Sequence, residues 1–315
     1  MINVVLATHN GARTLPRMLE RLCELHPPPD GWRLIAVNNA STDATPEILR
    51  QYRKRLPLTV LEHGTKGKNS ALNAAIPAID GSLVVLTDDD ILPERDWLLV
   101  YRDTALAHPD HSVFGGPIRP DWPSEPPAWI LKPADHLGVS YGITDPALPQ
   151  GDVSPKLIWG GNMMVRKAVF DAGHRFSDAV GPKGGTAYAM GGETEFLDRL
   201  EAAGYRCRHE PAAAVRHIIR PEQLERTWLL KRAYRYGKSC AHSAFAAAGP
   251  SGAHRKLYFD APRWLYRKIA TSAVKACLRG APLGSSRSFP EMWSLYRALG
   301  FLAQYRELAA RARRS

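Results

Sequence analysis

Short apolar runs alternate with amphipathic segments over the first ninety residues, and this alternation limits the fold more than any other feature. Four apolar runs predict strands, at residues 3–7, 33–37, 58–62 and 82–86. Residues 13–25 have leucine and methionine at helical spacing, Thr45 marks the start of a second helix, and residues 69–79 predict a third. Strands separated by helices are typical of a parallel sheet that helices cover on both faces.

Polar residues follow each of the four predicted strands. They are Thr8, His9 and Asn10 after the first, Asn38 and Asn39 after the second, residues 64–68 after the third, and Asp88, Asp89 and Asp90 after the fourth. Ligands of parallel α/β sheets bind beyond the carboxyl ends of the strands. The sequence therefore predicts one polar crevice at that edge of the sheet.

The three consecutive aspartates indicate a cation site in this crevice. In an extended segment the carboxylates of Asp88 and Asp90 point to one side and that of Asp89 to the other. Two oxygen donors on one side suit Mg²⁺ or Mn²⁺, which can hold a diphosphate at their remaining positions. The alternative is that one aspartate caps a helix near residue 96 and the others are solvated.

Two further segments offer groups for phosphate binding or catalysis. Residues 64–73, GTKGKNSALN, are typical of a diphosphate cradle without Walker spacing, although Lys66 and Lys68 could equally be surface lysines. Glu193 and Glu195 follow two glycines at the start of a predicted helix. They either complement the helix dipole or include a catalytic base.

Several aromatic and histidine side chains have two interpretations. His217 ends the strand-like residues 212–218 and either completes a metal or phosphate site or is an ordinary surface or core residue. Residues 117–158 are rich in proline and predict a long, functional loop. Within that loop, Trp122 and Trp129 either stack on a sugar ring or fix the loop to the body.

The basic charge of the chain is concentrated near its C-terminus. The formal net charge is +11, and residues 216–315 contain 20 Lys and Arg against 5 Asp and Glu. This asymmetry predicts an anionic partner, either nucleic acid or a membrane surface. No run reaches the roughly 18–20 apolar residues that span a bilayer, and the first residues lack the features of a secretory signal, so we expect a cytoplasmic location.

In order along the chain, these segments resemble the motifs of the family 2 glycosyltransferases, which have the GT-A fold. The first strand of that family ends in Thr-x-Asn, as in VVLATHN, and the second ends in a pattern similar to VNNASTD at residues 37–43. GKNSALN, TDDD, a GGN segment, an acidic pair before Arg-Leu and a late strand ending in histidine follow in the family's order. The resemblance covers roughly residues 1–240, including RAYRYGKS at 232–239.

The resemblance implies roles for individual residues of this chain. The nucleoside pocket would be lined by Thr8, Asn10, Asn39 and Asp43. Lys68 would lie near the base or diphosphate, Asp88 would contact the ribose, and Asp90 would hold the metal, with Asp88 and His217 as further candidate ligands. Asn38 replaces the first aspartate of the second motif, so the family pattern does not fix the preferred nucleotide.

The family's catalytic base is usually the Asp of a Glu-Asp pair. Alignment on EFLDRL puts Glu193 at the base position and Gly192 where the preceding Glu would be, which leaves Glu195 as the alternative base. The acceptor side would be formed by Trp129, Gly161 and Asn162.

We therefore predict a GT-A fold, a Rossmann-like and mostly parallel sheet flanked by helices, with a basic helical C-terminal extension. The expected enzyme is an inverting, metal-assisted hexosyltransferase that moves a sugar from a UDP-sugar to a glycan or lipid-linked acceptor. It would act in the synthesis of cell-surface polysaccharide, lipid-linked glycan or glycolipid. Alternative functions are sugar nucleotidyl transfer and non-enzymatic nucleic-acid binding, but the residues after the first strand and the lack of a nucleic-acid-binding motif do not favour them.

The expected domains are a catalytic domain at 1–220 and a basic helical region at 221–315. The catalytic domain divides into a nucleotide-sugar half, 1–116, and an acceptor half, 117–220. Residues 263–279 mix basic and apolar residues and predict an amphipathic helix. This helix either binds the anionic inner face of the plasma membrane peripherally or packs on the catalytic domain.

Overall fold

The computed structural model describes residues 1–131, 136–178, 180–181, 190–252, 257–258, 260–281 and 285–313. Its strands are β1 Ile2–Thr8, β2 Trp32–Asn39, β3 Leu58–His63, β4 Leu83–Thr87, β5 Ile91–Pro93, β6 Val113–Gly115, β7 Ile118–Asp121, β8 Gly151–Asp152, β9 Asn162–Arg166, β10 Cys207–His209, β11 Val215–Ile218, β12 Leu257–Tyr258 and β13 Ala261–Pro262. Its α-helices are α1 Leu15–Cys23, α2 Thr45–Tyr52, α3 Lys68–Ala75, α4 Trp97–Ala107, α5 Ala128–Leu131, α6 Leu137–Tyr141, α7 Lys167–Asp171, α8 Gly192–Ala202, α9 Arg226–Gly252, α10 Arg263–Leu278 and α11 Phe289–Ala312.

The predicted mostly parallel sheet flanked by helices is confirmed. The strand order of the eight-stranded sheet is β3-β2-β1-β4-β9-β6-β10-β8. Strands β1 to β4 are mutually parallel, whereas β9 runs antiparallel between β4 and β6. All of β1 to β4 therefore end at one edge, where the polar residues that follow them meet.

Successive strand residues point to opposite faces of the sheet, and both faces carry apolar side chains. Helices therefore cover the sheet on both sides. Val4 and Leu6 of β1 join a buried cluster with residues of α1, α2 and α4. Val5, between them, joins a second cluster with residues of α3, α7 and α8. Burying each large apolar side chain contributes about 1.5–3 kcal/mol, so the two clusters fix the sheet that carries the crevice.

A second sheet has three strands, in the order β5-β11-β7. Strand β5 follows the three aspartates directly, and β11 pairs antiparallel with it from Val215 to His217. This pairing brings the end of β11 beside the aspartates.

Residues 117–158 have more regular structure than their sequence predicts. They contain β7, α5, α6 and β8, all short. Both tryptophans of this segment pack on aromatic rings: Trp122 lies 5.1 Å from Tyr141 and Trp129 lies 4.7 Å from Phe289, measured between ring centroids. The frequent prolines, which lack a backbone donor, keep these elements short and conceal them in the sequence pattern.

The chain divides into two compact units. The first contains Met1–Trp122 and the described parts of Tyr141–Gly184 and Gly192–Ile219. The second contains the described parts of Pro123–Ser140, Gly185–Gly191 and Arg220–Ser315. The described residues of 123–140, which were expected in the acceptor half of the catalytic domain, are grouped with the second unit.

Three long helices, α9, α10 and α11, build the second unit. Its core includes Ala241, Leu265, Phe301 and Tyr305. No helix among the described residues combines the length and the apolar character that crossing a bilayer requires.

Candidate active site

Hydrogen bonds tie the loops after β1 and β2 together at the rim of the crevice. The Asn10 side-chain oxygen accepts from the Thr42 backbone N–H at 2.8 Å, and Asn10 adopts a left-handed backbone conformation with φ of 56°. The Asp43 carboxylate accepts from the backbone N–H groups of Ala12 at 3.1 Å and Thr45 at 3.0 Å. Burial raises the pKa of Asp43, but a hydrogen bond from the Thr45 hydroxyl and these backbone bonds outweigh it and hold the pKa below its usual value.

The loop before α3 is anchored by the amide of Asn39, at the end of β2. Its side-chain oxygen accepts from the Gly67 backbone N–H at 2.9 Å, and its nitrogen donates to the Thr65 carbonyl at 2.7 Å. Asn39 therefore fixes the backbone from which Lys68, the first residue of α3, projects.

Lys68 joins two carboxylates that come from distant parts of the chain. Its Nζ lies 2.6 Å from Asp88 Oδ1 and 2.7 Å from Glu193 Oε1. Burial disfavours the charged form of Lys68, but the two carboxylates outweigh it and raise the pKa of the ammonium. Burial also raises the pKa of Asp88, which Lys68 opposes and the neighbouring Asp90 and Glu193 reinforce.

Gly160 and Gly161, just before β9, allow the carboxylates of Glu193 and Asp88 to lie close to the backbone of that segment. A methyl group added at Gly160 would overlap the side chain of Glu193. At Gly161 an added methyl would lie 3.4 Å from Asp88 Oδ2. The segment before β9 therefore packs directly against both acidic groups.

The three aspartates do not form the extended segment that the sequence analysis assumed. Asp89 and Asp90 lie in a turn, which the Ile91 backbone N–H closes by donating to the Asp88 carbonyl at 3.3 Å. Asp89 nevertheless has partners different from those of its two neighbours. It accepts a hydrogen bond from the Thr8 hydroxyl. A methyl at Gly11 would overlap both of these side chains. Thr8, expected in the nucleoside pocket, is buried and connects the ends of β1 and β4.

Asp90 meets His217 across the pairing of β5 with β11. His217 Nε2 lies 3.2 Å from Asp90 Oδ2, and Nδ1 lies 2.5 Å from the Tyr141 carbonyl oxygen. Since a carbonyl only accepts, Nδ1 carries the proton and donates. Burial lowers the pKa of His217, but Asp90 outweighs it, so the pKa is raised.

Asp90 and His217 are candidate donors for a divalent cation. With Nδ1 donating to a backbone carbonyl, Nε2 is the nitrogen of His217 that a cation would take, in place of its proton, and it lies beside an Asp90 oxygen. A histidine oriented by a carbonyl through its second nitrogen is the usual arrangement for a metal ligand. Asp88 was the third expected ligand, but its Oδ1 pairs with Lys68, and the three residues do not bring ligand atoms within 4.8 Å of one another.

The remaining candidates have other neighbours. Glu195 pairs with Arg199 one turn along α8, at 2.6 Å, and does not share the contact of Glu193 with Lys68. Asn162 is fully buried: its oxygen accepts from Trp97 and Tyr101, and its nitrogen donates to the Ala213 carbonyl. Asn162 therefore holds β9 in place, and it has no exposed surface that an acceptor could contact.

Sequence reasoning missed another group of candidate metal ligands, His108, Asp110 and His111. Within the described residues, His108, Asp110 and His111 bring ligand atoms within 4.8 Å of one another. They precede β6, which is parallel to β4, so they lie at the edge of the sheet opposite the three aspartates. Arg206 pairs with both Asp110 and Asp152 there, and His111 Nε2 lies 2.9 Å from Asp152, so an arginine already balances these carboxylates. In the sequence, the one sign of this group is the close spacing of its three residues in HPDH, residues 108–111.

The chain is similar in sequence and in fold to known glycosyltransferases. The model of the family described as "Glycosyl transferase family 2" matches residues 3–173. Glucosyl-dolichyl phosphate glucuronosyltransferase of Haloferax volcanii is 26% identical over 160 residues, covering 50% of this chain and 50% of that protein. Pre-mycofactocin glycosyltransferase of Mycobacterium tuberculosis is 28% identical over 248 residues, or 76% of this chain and 47% of that protein. Beta-monoglucosyldiacylglycerol synthase of Synechocystis is 32% identical over 99 residues, or 30% and 21%.

The matches span half or less of the length of these three curated relatives. Among solved structures, the mannosyltransferase PcManGT of Pyrobaculum calidifontis, in complex with GDP-Man and Mn²⁺, superposes with a TM-score of 0.59 at 20% identity, covering 96% of this chain and 86% of that chain. TarS 1-349 of Staphylococcus aureus, in complex with UDP, gives a TM-score of 0.50 at 16% identity, covering 99% and 91%. The fold is similar to that of the GT-A glycosyltransferases, as expected.

Proposed function

The chain belongs to glycosyl transferase family 2, and we propose that it transfers a hexose from a nucleoside-diphosphate sugar to an acceptor hydroxyl with inversion. One observation carries this proposal: Asp88, Lys68 and Glu193 meet within hydrogen-bonding distance beyond the carboxyl ends of the parallel strands. Acidic and cationic groups in one crevice suit a substrate with a diphosphate and a sugar. Family membership favours sugar transfer over nucleotidyl transfer and over nucleic-acid binding.

The donor is held by the ends of β1 to β4. Asn10, Asn39 and Asp43 line the nucleoside side of the crevice, together with the buried Thr8. Asp88 contacts the ribose, and Lys68, at the start of α3, contacts the diphosphate. UDP is the expected nucleotide, and GDP is the alternative to test because the PcManGT structure contains GDP-Man.

Glu193 is the proposed general base. Two observations support this choice: Glu193 lies beside Asp88, and the alternative, Glu195, pairs with Arg199. The acceptor hydroxyl gives its proton to the Glu193 carboxylate, and the acceptor oxygen forms a bond to the anomeric carbon on the face opposite the diphosphate. The bond from that carbon to the diphosphate oxygen breaks, and its electron pair leaves with the nucleoside diphosphate. Attack from the opposite face inverts the configuration.

Asp90, with Asp88 and His217, would hold Mg²⁺ or Mn²⁺. A cation bound there would neutralise the charge that develops on the leaving diphosphate. The carboxylates themselves repel a diphosphate, so donor binding should depend on the cation.

The acceptor is a glycan or a lipid-linked molecule, and the pathway makes cell-surface polysaccharide, lipid-linked glycan or glycolipid. The names of the relatives, which include a dolichyl phosphate glucuronosyltransferase and a glucosyldiacylglycerol synthase, support this range. Gly161, beside Asp88, is the proposed acceptor-side residue. Trp129, also expected on the acceptor side, packs on Phe289 within the second unit. We further propose that the protein works in the cytoplasm, bound peripherally to the inner face of the plasma membrane through its basic second unit.

A thermal-shift measurement tests the donor and cation sites. UDP or GDP at about 100 times Kd should raise Tm by roughly 5 °C with Mn²⁺. The shift should disappear in EDTA, and Asp90→Asn should abolish it even with Mn²⁺. Asp103→Asn, which changes an exposed carboxylate on α4, is the matched control and should keep the shift. Equal stabilisation by the nucleotide in EDTA would contradict the cation site.

A further inference from the structure

We propose that the turn between α4 and β6 binds a transition-metal ion of the zinc class through His108, Asp110 and His111. This site lies at the edge of the sheet opposite the three aspartates, and it goes beyond the proposed function above. Ligand atoms of the three side chains lie within 4.8 Å of one another. Ligands of one tetrahedral zinc ion are about 3.4 Å apart, so changes within the side chains are enough to bring them together.

The two contacts of the buried His111 imidazole show where the ion would bind. Nδ1 lies 3.0 Å from Asp110 Oδ1, and Nε2 lies 2.9 Å from Asp152 Oδ1. A neutral imidazole has one N–H, so it can donate to only one of these carboxylates. A second proton or a cation has to lie between the other nitrogen and its carboxylate. Because His108 brings a third ligand atom to the Asp110 side, a cation is favoured there.

The carboxylate of Asp152 then orients the imidazole from the other side. Its Oδ1 accepts from Nε2–H of His111, and a metal-bound histidine usually donates its second N–H to a carboxylate or carbonyl. Arg206 contacts the Oδ2 atoms of both Asp110 and Asp152. The arginine therefore holds the two carboxylates in place and leaves Asp110 Oδ1, the atom that the ion would take, on the His111 side.

The backbone of the turn is fixed before any ion binds. The His111 N–H donates to the His108 carbonyl at 3.2 Å. The guanidinium of Arg166, at the end of β9, donates to the carbonyls of His111 at 2.7 Å and His108 at 3.1 Å. The two histidine ring centroids are 5.7 Å apart, close to the roughly 5 Å of two imidazoles on one zinc ion. This preorganisation lowers the entropy that ordering the ligands would otherwise cost.

The donor set decides the class of ion. Two imidazoles and one carboxylate suit Zn²⁺ and related transition metals, whereas Mg²⁺ and Ca²⁺ prefer oxygen ligands alone. Three side-chain ligands leave the fourth position of a zinc ion to water. A bound ion would tie the turn to β8, through His111 and Asp152, and would stabilise the first unit.

Calorimetry with Zn²⁺ tests the site in the Asp90→Asn background, in which the cation site proposed in the crevice does not contribute; His217→Ala provides a second such background. We expect one Zn²⁺ to bind and, at about 100 times its Kd, to raise Tm by roughly 4 °C. His108→Ala and Asp110→Asn should each weaken binding by about tenfold or more, since even changes behind the ligands cost about 10- to 100-fold. An equal rise in Tm with Mg²⁺ would contradict the class of ion.

The decisive variant is His108→Ala, because His108 is outside the ion pairs that Arg206 makes and is only partly buried. His26→Ala, which removes an exposed histidine 2.7 Å from Asp96, is the matched control and should leave Zn²⁺ affinity unchanged. Equal Zn²⁺ affinity in His108→Ala and its parent would place the ion elsewhere and overturn the inference. Absence of Zn²⁺ binding would also overturn it, and His111 would then carry the second proton. Neither measurement involves sugar transfer, so the proposed function is tested separately.

Discussion

At the scale of single residues, Glu193 is held on two sides, by Lys68 and by Gly160. This fixed position is what a general base requires, because proton transfer needs the base within hydrogen-bonding distance of the acceptor hydroxyl. Glu195 lies only two residues away on α8 but pairs with Arg199. The two glutamates therefore differ in what surrounds them, although the sequence offers both as candidates.

Replacing Glu193 by Gln should lower turnover by about 10² to 10⁴, the usual contribution of a positioned base. Glutamine keeps the size of the side chain but has no basic oxygen, so nucleotide binding and Tm should survive. Sugar transfer would be measured beside UDP affinity and melting temperature. A loss confined to turnover separates catalysis from folding.

Glu195→Gln distinguishes the two candidate bases. If Glu193 is the base, this variant should keep turnover close to that of the wild type. Normal turnover in Glu193→Gln together with a large loss in Glu195→Gln would assign the base to Glu195. Near-normal turnover in both would mean that the base is another residue.

The sequence could predict which residues lie at the carboxyl edge of the parallel strands but not how they pair. Polar residues after parallel strands meet at one edge, which brought Asp88, Asp90 and Asn39 into the expected region. Lys68 and Glu193 are 125 residues apart in sequence, and no local pattern predicts their contact. The buried roles of Thr8 and Asn162 were missed for the same reason, because their partners come from other elements.

At the scale of elements, α9 and α11 approach closely at two glycines. A methyl group at Gly237 would overlap the backbone carbonyl of Arg297, and one at Gly300 would overlap that of Tyr234. Gly237 lies in RAYRYGKS, the segment whose resemblance to the family was noted in the sequence. The structure supplies a physical reason for glycine there, which is contact between two helix backbones.

Gly237→Ala and Gly300→Ala should each destabilise the protein by about 1–3 kcal/mol, the usual cost of overpacking. The helix propensity of alanine would recover about 1 kcal/mol of this at most. Urea unfolding followed by circular dichroism would measure the change.

Gly64→Ala is the control for both helix variants. An added methyl at Gly64 meets nothing within 4 Å, so this variant should stay within about 0.5 kcal/mol of the wild type. Unchanged stability in both helix variants would contradict the close approach of α9 and α11.

The element pattern was predictable where the periodicity was strong. The strands expected at 3–7, 33–37, 58–62 and 82–86 correspond to β1 to β4. The third expected helix, at 69–79, corresponds to α3 together with the 3-10 turn Ile76–Ala78 that continues it. Insertion of β9 between β4 and β6 was not predictable, because strand order depends on long-range pairing. The elements within 117–158 were hidden by proline, which interrupts the periodicity on which such predictions rely.

At the scale of the whole molecule, the match to the family model stops at residue 173, before the basic C-terminal region. The family match therefore gives no role for residues 220–315 of the second unit, and a role has to be argued from the residues exposed on it. Helix α10 has no acidic residue, and Trp264, Val274 and Leu278 on it are 55%, 58% and 82% exposed. Lys268 and Lys275 are also exposed, whereas Leu265 is buried in the core of the second unit. Part of the apolar side expected to face a membrane thus packs within the protein.

The exposed side of α10 combines tryptophan, leucine and lysine, which suits the boundary between headgroups and acyl chains of an anionic bilayer. We expect the protein to sediment with phosphatidylglycerol vesicles at low salt and not with phosphatidylcholine vesicles. Each basic residue near such a surface contributes about 1 kcal/mol, so Lys268→Glu/Lys275→Glu should weaken binding more than tenfold. Arg53→Glu/Lys54→Glu makes the same charge change at exposed positions in the first unit and should bind like the wild type. An equal loss in both double variants would mean that net charge alone, and not the surface of α10, attracts the protein to the vesicles. No binding to anionic vesicles would contradict the proposed membrane association.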